Sequence, residues 1–83
     1  MMIILYFASI RDEIGSKSEK IELPEKINNS QELIDWLSKN SAKHKSAFQN
    51  KTICIAINQE FSSLEDEINN EDEVAIFPPV TGG

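Results

Sequence analysis

Residues 67–83 read EINNEDEVAIFPPVTGG, and the fold turns on how this stretch divides. Asn69-Asn70 is a turn signal. The segment Glu73 to Phe77 then enters a last strand rich in strand formers. Pro78 and Pro79 fix φ near −65° and donate no hydrogen bond, so they end that strand and hold the last residues of the chain off the sheet edge. Val80 and Thr81 lead into Gly82 and Gly83, which carry no side chain, and such an ending suits a segment that is inserted somewhere. The reading is a domain over 1–77 and a projecting tail over 78–83.

Working back from that strand, the rest of the chain supplies a sheet for it to join. Residues 2–8, MIILYFA, form a short apolar run that reads as a strand buried on both faces. In SIRDEIG, Ile10 and Ile14 stand four apart before Gly15, which predicts one or two helical turns with a glycine stop. SEKIELPE alternates around Ile21 and Leu23 as a second strand that Pro24 closes. The clearest helix begins at Asn29, an N-cap with Glu32 three residues on. It carries Leu33, Trp36 and Leu37 on one face and Ile34 on its flank. SAKHKSAFQN predicts a second short helix. TICIAIN puts Ile53, Ile55 and Ile57 on one face and Cys54 and Ala56 on the other, and is apolar enough for the interior of a sheet. QEFSS reads as a short strand around Phe61.

The order is strand, strand, helix, strand, short strand, strand. This is an α+β chain whose main helix should cross one face of a mixed sheet of about five strands. With the first and last strands adjacent in the middle, the layout is a β-grasp, the ubiquitin-like arrangement.

Composition narrows the function. A chain of 83 residues builds one modest core and has no room for a large enclosed active site as well. A carrier, subunit or binding module is favoured over a free-standing enzyme. Asp and Glu outnumber Lys and Arg 14 to 8, a formal net charge of −6, with no basic stripe. Nucleic acid and anionic membrane are therefore disfavoured, and a basic protein partner fits better. A plain solvated surface explains the same charges. One cysteine, Cys54, allows no internal disulfide and no zinc cluster. The apolar start, MMIILYFASI, lacks a charged leader and is too short for a span, so the expected location is cytoplasmic.

DEVAIFPPVTGG resembles the ending of the molybdopterin synthase small-subunit family, the sulfur carriers of molybdenum cofactor synthesis. LYFASIRDEIG is similar to that family's first strand and short helix, with Phe7, Ala8, Arg11 and Gly15 at matching places, and AINQE to its segment after the central strand. Ile76 departs from the pattern, standing where an aromatic is common, and residues 43–51 are richer in Lys and Asn. The resemblance implies that Gly83 is the reacting residue. Its carboxyl group would be adenylated by a ubiquitin-activating-like adenylyltransferase using ATP, then converted to a thiocarboxylate by a sulfur donor protein. Pro78 to Gly83 would insert into the large catalytic subunit, in a two-plus-two heterotetramer, to give sulfur to cyclic pyranopterin monophosphate. The chain itself would bind no cofactor and no metal and would not be a catalyst alone. The same resemblance puts Phe7, Phe61 and Phe77 on an exposed apolar docking face with Arg11 nearby; without it, each Phe reads as core. The competing readings are a sulfur carrier for another pathway such as thiamine thiazole synthesis, a ubiquitin-like modifier, and a passive interaction domain with an inert tail.

Other residues read as structural. Cys54, inside an apolar strand, is expected as a buried thiol, and His44, between two lysines, as a solvated side chain. Asp66, Glu67, Glu71, Asp72 and Glu73 lack EF-hand spacing and read as a charged turn.

Overall fold

A computed structural model describes residues 1–79. Its elements are β1 Met2–Tyr6, α1 Ala8–Ile14, β2 Ser18–Ile21, α2 Ser30–Asn40, α3 Ala42–Phe48, β3 Cys54–Ile57, β4 Glu60–Ser62 and β5 Glu73–Phe77. The strands form one sheet in the order β2-β1-β5-β3-β4. β1 and β5 are parallel, in the register Ile3 to Glu73 through Tyr6 to Ile76, and the other neighbours are antiparallel. The first and last strands thus lie side by side at the centre, the expected β-grasp.

The helices share one side of the sheet, with α3 packed against both α1 and α2. Strand alternation supplies Met2, Ile4, Tyr6, Ile55, Val74 and Ile76 to the core, where they meet Ile10, Leu33, Leu37 and Phe48 from the helices. The helix ends match the sequence signals. Asn29 Oδ1 accepts the Glu32 N–H at 2.9 Å, and Glu32 Oε1 accepts the Asn28 N–H at 2.7 Å, one residue earlier than a standard capping box. Gly15 closes α1 at φ 82° with its N–H on the Arg11 carbonyl.

Four expectations are corrected. β1 ends at Tyr6 and only one of its faces is sealed; Ile3 and Leu5 are half-buried because no helix covers their side. β2 stops at Ile21, short of Leu23 and Pro24. On α2, Ile34 is buried and Trp36 only partly so, because α3 covers the Ile34 flank. His44 is not solvated but 8% exposed. Its Nε2 lies 2.6 Å from Glu19 Oε1 and 3.0 Å from the Tyr6 hydroxyl, and its Nδ1 lies 2.8 Å from Ser41 Oγ. The Tyr6 hydroxyl donates to the same Glu19 oxygen at 2.8 Å. Burial, with Glu19 adding to it, pushes the Tyr6 phenol far above its ordinary range, so it remains a donor. The cluster ties α3 to β1 and β2. The two flanking lysines, Lys43 and Lys45, concealed it in the sequence, because they point outward from a helix whose third residue turns in.

The β3–β4 hairpin turns on Asn58 and Gln59, at φ 50° and 70°. A two-residue turn with both φ values positive matches the twist of the strands. Asn58 tolerates it, and its side chain also fixes β5, accepting the Glu73 N–H and donating to Asp72. Gln59 holds the same backbone without such a contact. Replacing Gln59 with Gly should therefore stabilise the domain by about 0.5–1 kcal/mol, a Tm rise of roughly 2–8 °C, whereas Gln59→Val should lower Tm. Thermal unfolding of the three chains checks this, and an unchanged or lower Tm for Gln59→Gly would refute it.

Candidate functional site: the open sheet face and the tail root

Because every helix lies on one side, the period of two leaves the opposite sheet face bare. Across its middle, Leu5 stands opposite Ala75, Ala75 opposite Ala56, and Ala56 opposite Phe61. One step toward the end of β5, Cys54 stands opposite Phe77. Phe61 and Phe77 meet edge to face with ring centroids 5.8 Å apart. The two alanines between these rings and Leu5 make a shallow apolar trough. Phe61 is 84% exposed and Phe7 44%, while Leu5, Cys54, Ala56, Ala75 and Phe77 are half-buried. A continuous exposed apolar strip on so small a domain is a candidate interaction surface.

The structure brings together two of the expected docking residues, Phe61 and Phe77. Phe7 continues the Ile3–Leu5 face of β1, and its N–H donates to the Ile76 carbonyl at 3.2 Å, beside the point where the tail departs. Arg11 stands one turn along α1, its N–H on the Phe7 carbonyl, its exposed side chain 3.9 Å from Asp12. Pro78 is half-buried and Pro79 exposed, both outside any strand. The remaining tail residues, Val80, Thr81, Gly82 and Gly83, lie outside the described residues.

The sequence reading missed Leu5, Ala56 and Ala75, and it placed Cys54 in the core. The alternation of TICIAIN already put Cys54 and Ala56 opposite the isoleucines. The remaining signal was their size, since small side chains on one face of an interior strand leave a shallow floor on that face. Among the described residues no group of three or more His, Cys, Asp or Glu side chains could hold a metal ion. Away from the face, Lys51 binds Glu13, and that contact holds the Glu13 carboxyl below its usual range.

The half-buried position of Cys54 has a direct consequence. Its thiol should react with a small disulfide reagent to one equivalent in native buffer. Phe77→Ala, which removes the ring paired across from it, should speed the reaction several-fold. A thiol that reacts only in denaturant would place Cys54 in the core after all.

The model of the ThiS family matches residues 4–83. The chain is 35% identical over 83 residues to the molybdopterin synthase sulfur carrier subunit of Haemophilus influenzae, covering all of both chains. Its structure is similar to a Pyrococcus furiosus protein assigned as molybdopterin converting factor, subunit 1, with a TM-score of 0.76 and 30% identity over 95% of this chain and 97% of that one. It is also similar to a chain of the Amycolatopsis orientalis BexX/CysO complex, with a TM-score of 0.63 and 26% identity over the full length of both.

Proposed function

The chain belongs to the ThiS family, and on that premise we propose that it is the sulfur carrier subunit of a molybdopterin synthase. The observation that carries this reading is the end-to-end similarity to a sulfur carrier subunit, in a family match that runs through Gly83. The open apolar face supports it, since a carrier must be held by the enzyme it supplies.

The chemistry rests on the tail residues. An α-carboxyl group has a pKa of roughly 3.3–3.7, so it is an anion at neutral pH and a poor electrophile. Transfer of AMP from ATP by an activating enzyme gives the Gly83 carbonyl a competent leaving group. A persulfide sulfur displaces AMP, and a thiol then releases the donor as a disulfide, leaving the C-terminal thiocarboxylate. Gly82 and Gly83, with no Cβ, thread a narrow channel and leave the carbonyl open to attack. Pro78 and Pro79 stiffen the root, and the 78–83 segment is the working part that the 1–77 domain presents. The large subunit holds the catalytic residues and cyclic pyranopterin monophosphate. Two such tails, in a two-plus-two heterotetramer, supply the two sulfurs of the dithiolene. This chain is the non-catalytic member and acts in the cytoplasm; no helix among its described residues is long and apolar enough to cross a membrane.

Docking should centre on the Phe61–Phe77 pair, with Phe7 and Arg11 at the margin beside the tail root. Phe77→Ala is expected to weaken large-subunit binding by about 2 kcal/mol or more, as for a buried aromatic anchor. Titration calorimetry on the folded fraction measures it. Unchanged binding per folded molecule would assign Phe77 to the domain's own packing.

The tail is tested separately. Deleting Gly83 should leave folding and docking intact yet abolish sulfur transfer. One extended residue moves the terminus by roughly 3.3 Å, and a misplacement near 1 Å can cost on the order of 100-fold in rate. Wild type incubated with activating enzyme, ATP and a sulfur source should gain the mass difference between sulfur and oxygen, and the deletion should not. Equal thiocarboxylate and dithiolene formation by the deletion variant would overturn the proposal.

A further inference from the structure

Along β5 the open face changes character. Phe77, Ala75 and Glu73 share that side of the strand, since Val74 and Ile76 are fully buried on the other. Ala75 floors the apolar strip. One place further from the tail the strip ends on Glu73, half-buried and in register with Ile3 of β1. The backbone of Glu73 is fixed on its β3 side. Its N–H donates to Asn58 Oδ1 at 3.0 Å, and its carbonyl accepts the Asn58 N–H at 2.8 Å. Its carboxylate makes no ion pair or hydrogen bond among the described residues. Asp72, next to it, is already engaged: Oδ1 accepts from Asn58 Nδ2 at 2.9 Å and Oδ2 accepts the Asn69 N–H at 2.8 Å. Lys20 shares this end of the face but stands across Ile3 from Glu73. Two strand spacings, roughly 9.6 Å, separate the two backbones, and their side chains form no ion pair.

We propose that Glu73 is a second anchor of the docking face and that the partner meets its carboxylate with a basic side chain. A protein that covers Phe77 and Ala75 also covers Glu73, the next residue on the same side of the strand, and takes away its water. A carboxylate stripped of water without a countercharge is costly. This chain supplies none, so the cation comes from the partner. The fixed backbone holds Glu73 ready for that contact, and the net charge of −6 favours the approach of a basic surface. The anchor also gives docking a heading. Glu73 and Phe77 are four residues apart, roughly 13 Å along β5. An aromatic pair alone leaves a partner free to pivot about it, whereas a charge pair at that distance sets the direction. The inference rests on the proposed function, because it takes the large subunit as the partner.

Binding kinetics of the full chain with the large subunit test it. Glu73→Gln keeps the size of the side chain and removes its charge. It should make the complex dissociate at least tenfold faster, and about 0.5 M salt should leave most of that difference, because a dehydrated pair is weakly screened. Glu60→Gln is the control. It makes the same change in net charge one residue from Phe61, but Glu60 stands opposite Ile57 and so points to the helix side of the sheet. It should alter dissociation less than twofold. In a double-mutant cycle, one arginine or lysine of the large subunit changed to alanine should lose its effect when Glu73 is already Gln. Thermal unfolding of each variant confirms that it is folded. If Phe77→Ala weakens binding but Glu73→Gln dissociates at the wild-type rate, the docking face stands and the anchor is overturned. Equal effects of the two Gln substitutions, or a cycle in which no basic residue couples to Glu73, overturn it as well. A wild type that does not bind the large subunit removes the proposed function and this inference with it.

Discussion

Parallel pairing of β1 with β5 is the contact on which the rest of the molecule depends. It joins Ile3 to Glu73 and Tyr6 to Ile76, almost the two ends of the described chain. A parallel pair needs a crossover, and here the crossover contains every other element. The loop-closure entropy of so distant a pairing must be recovered from the apolar residues it buries, and both strands send alternate residues into the centre of the core. Once set, the register has two functional results. The odd-numbered residues of both strands face the open side, and the tail leaves from the middle of the sheet rather than from an edge.

The end of β1 is where this arrangement is most heavily braced. Tyr6 is in register with Ile76, and its hydroxyl reaches the Glu19–His44 pair, which connects to Ser41 at the start of α3. Three polar side chains under the sheet are tolerable because each has partners, whereas removing one would leave the others desolvated and unpaired. Immediately beyond, Phe7 turns outward and Ala8 takes φ 54°, a value unusual for a residue with a Cβ. The chain holds that conformation because Phe7 is bonded on both sides, through its N–H to Ile76 and its carbonyl to Arg11. The polar cluster below and the strained corner above thus fix the same point, next to the root of the tail.

Local rules made most of the fold legible in the sequence. Gly15, Asn29 and Asn69-Asn70 carry direct backbone consequences, and the elements they bound stand where their signals put them. The alternation in TICIAIN was equally plain. The features that the sequence did not disclose depended on distance. His44 acquires its role from Glu19 and Tyr6, which are remote in the chain and arrive only through β1–β2 pairing and the docking of α3. Cys54, Ala56 and Ala75 become surface because all three helices fall on the other side of the sheet. An apolar strand in isolation does not say which of its faces another element will cover. The aromatic residues of the open face were singled out by resemblance, and its small residues were not, since Ala carries no signature of its own.

The proposed division between a face that binds and a tail that reacts draws on the same geometry. Phe77 is the last residue of β5, so it belongs to the face through its side chain and to the tail through its backbone. Pro78 comes next without any segment that could act as a hinge, since a prolyl ring fixes its own φ and restricts the residue before it. On the proposed function, a partner that grips Phe61 and Phe77 also fixes the direction of Pro78 at the root of the tail. In that proposal docking energy is spent on orientation, which would convert delivery of the terminus into an intramolecular event rather than a second encounter. The central place of β5 therefore matters as much as its composition. A tail leaving an edge strand would move with every fluctuation of that edge, whereas β5 is hydrogen-bonded on both sides by β1 and β3, and the rigidity of the sheet extends to within a few residues of Gly83.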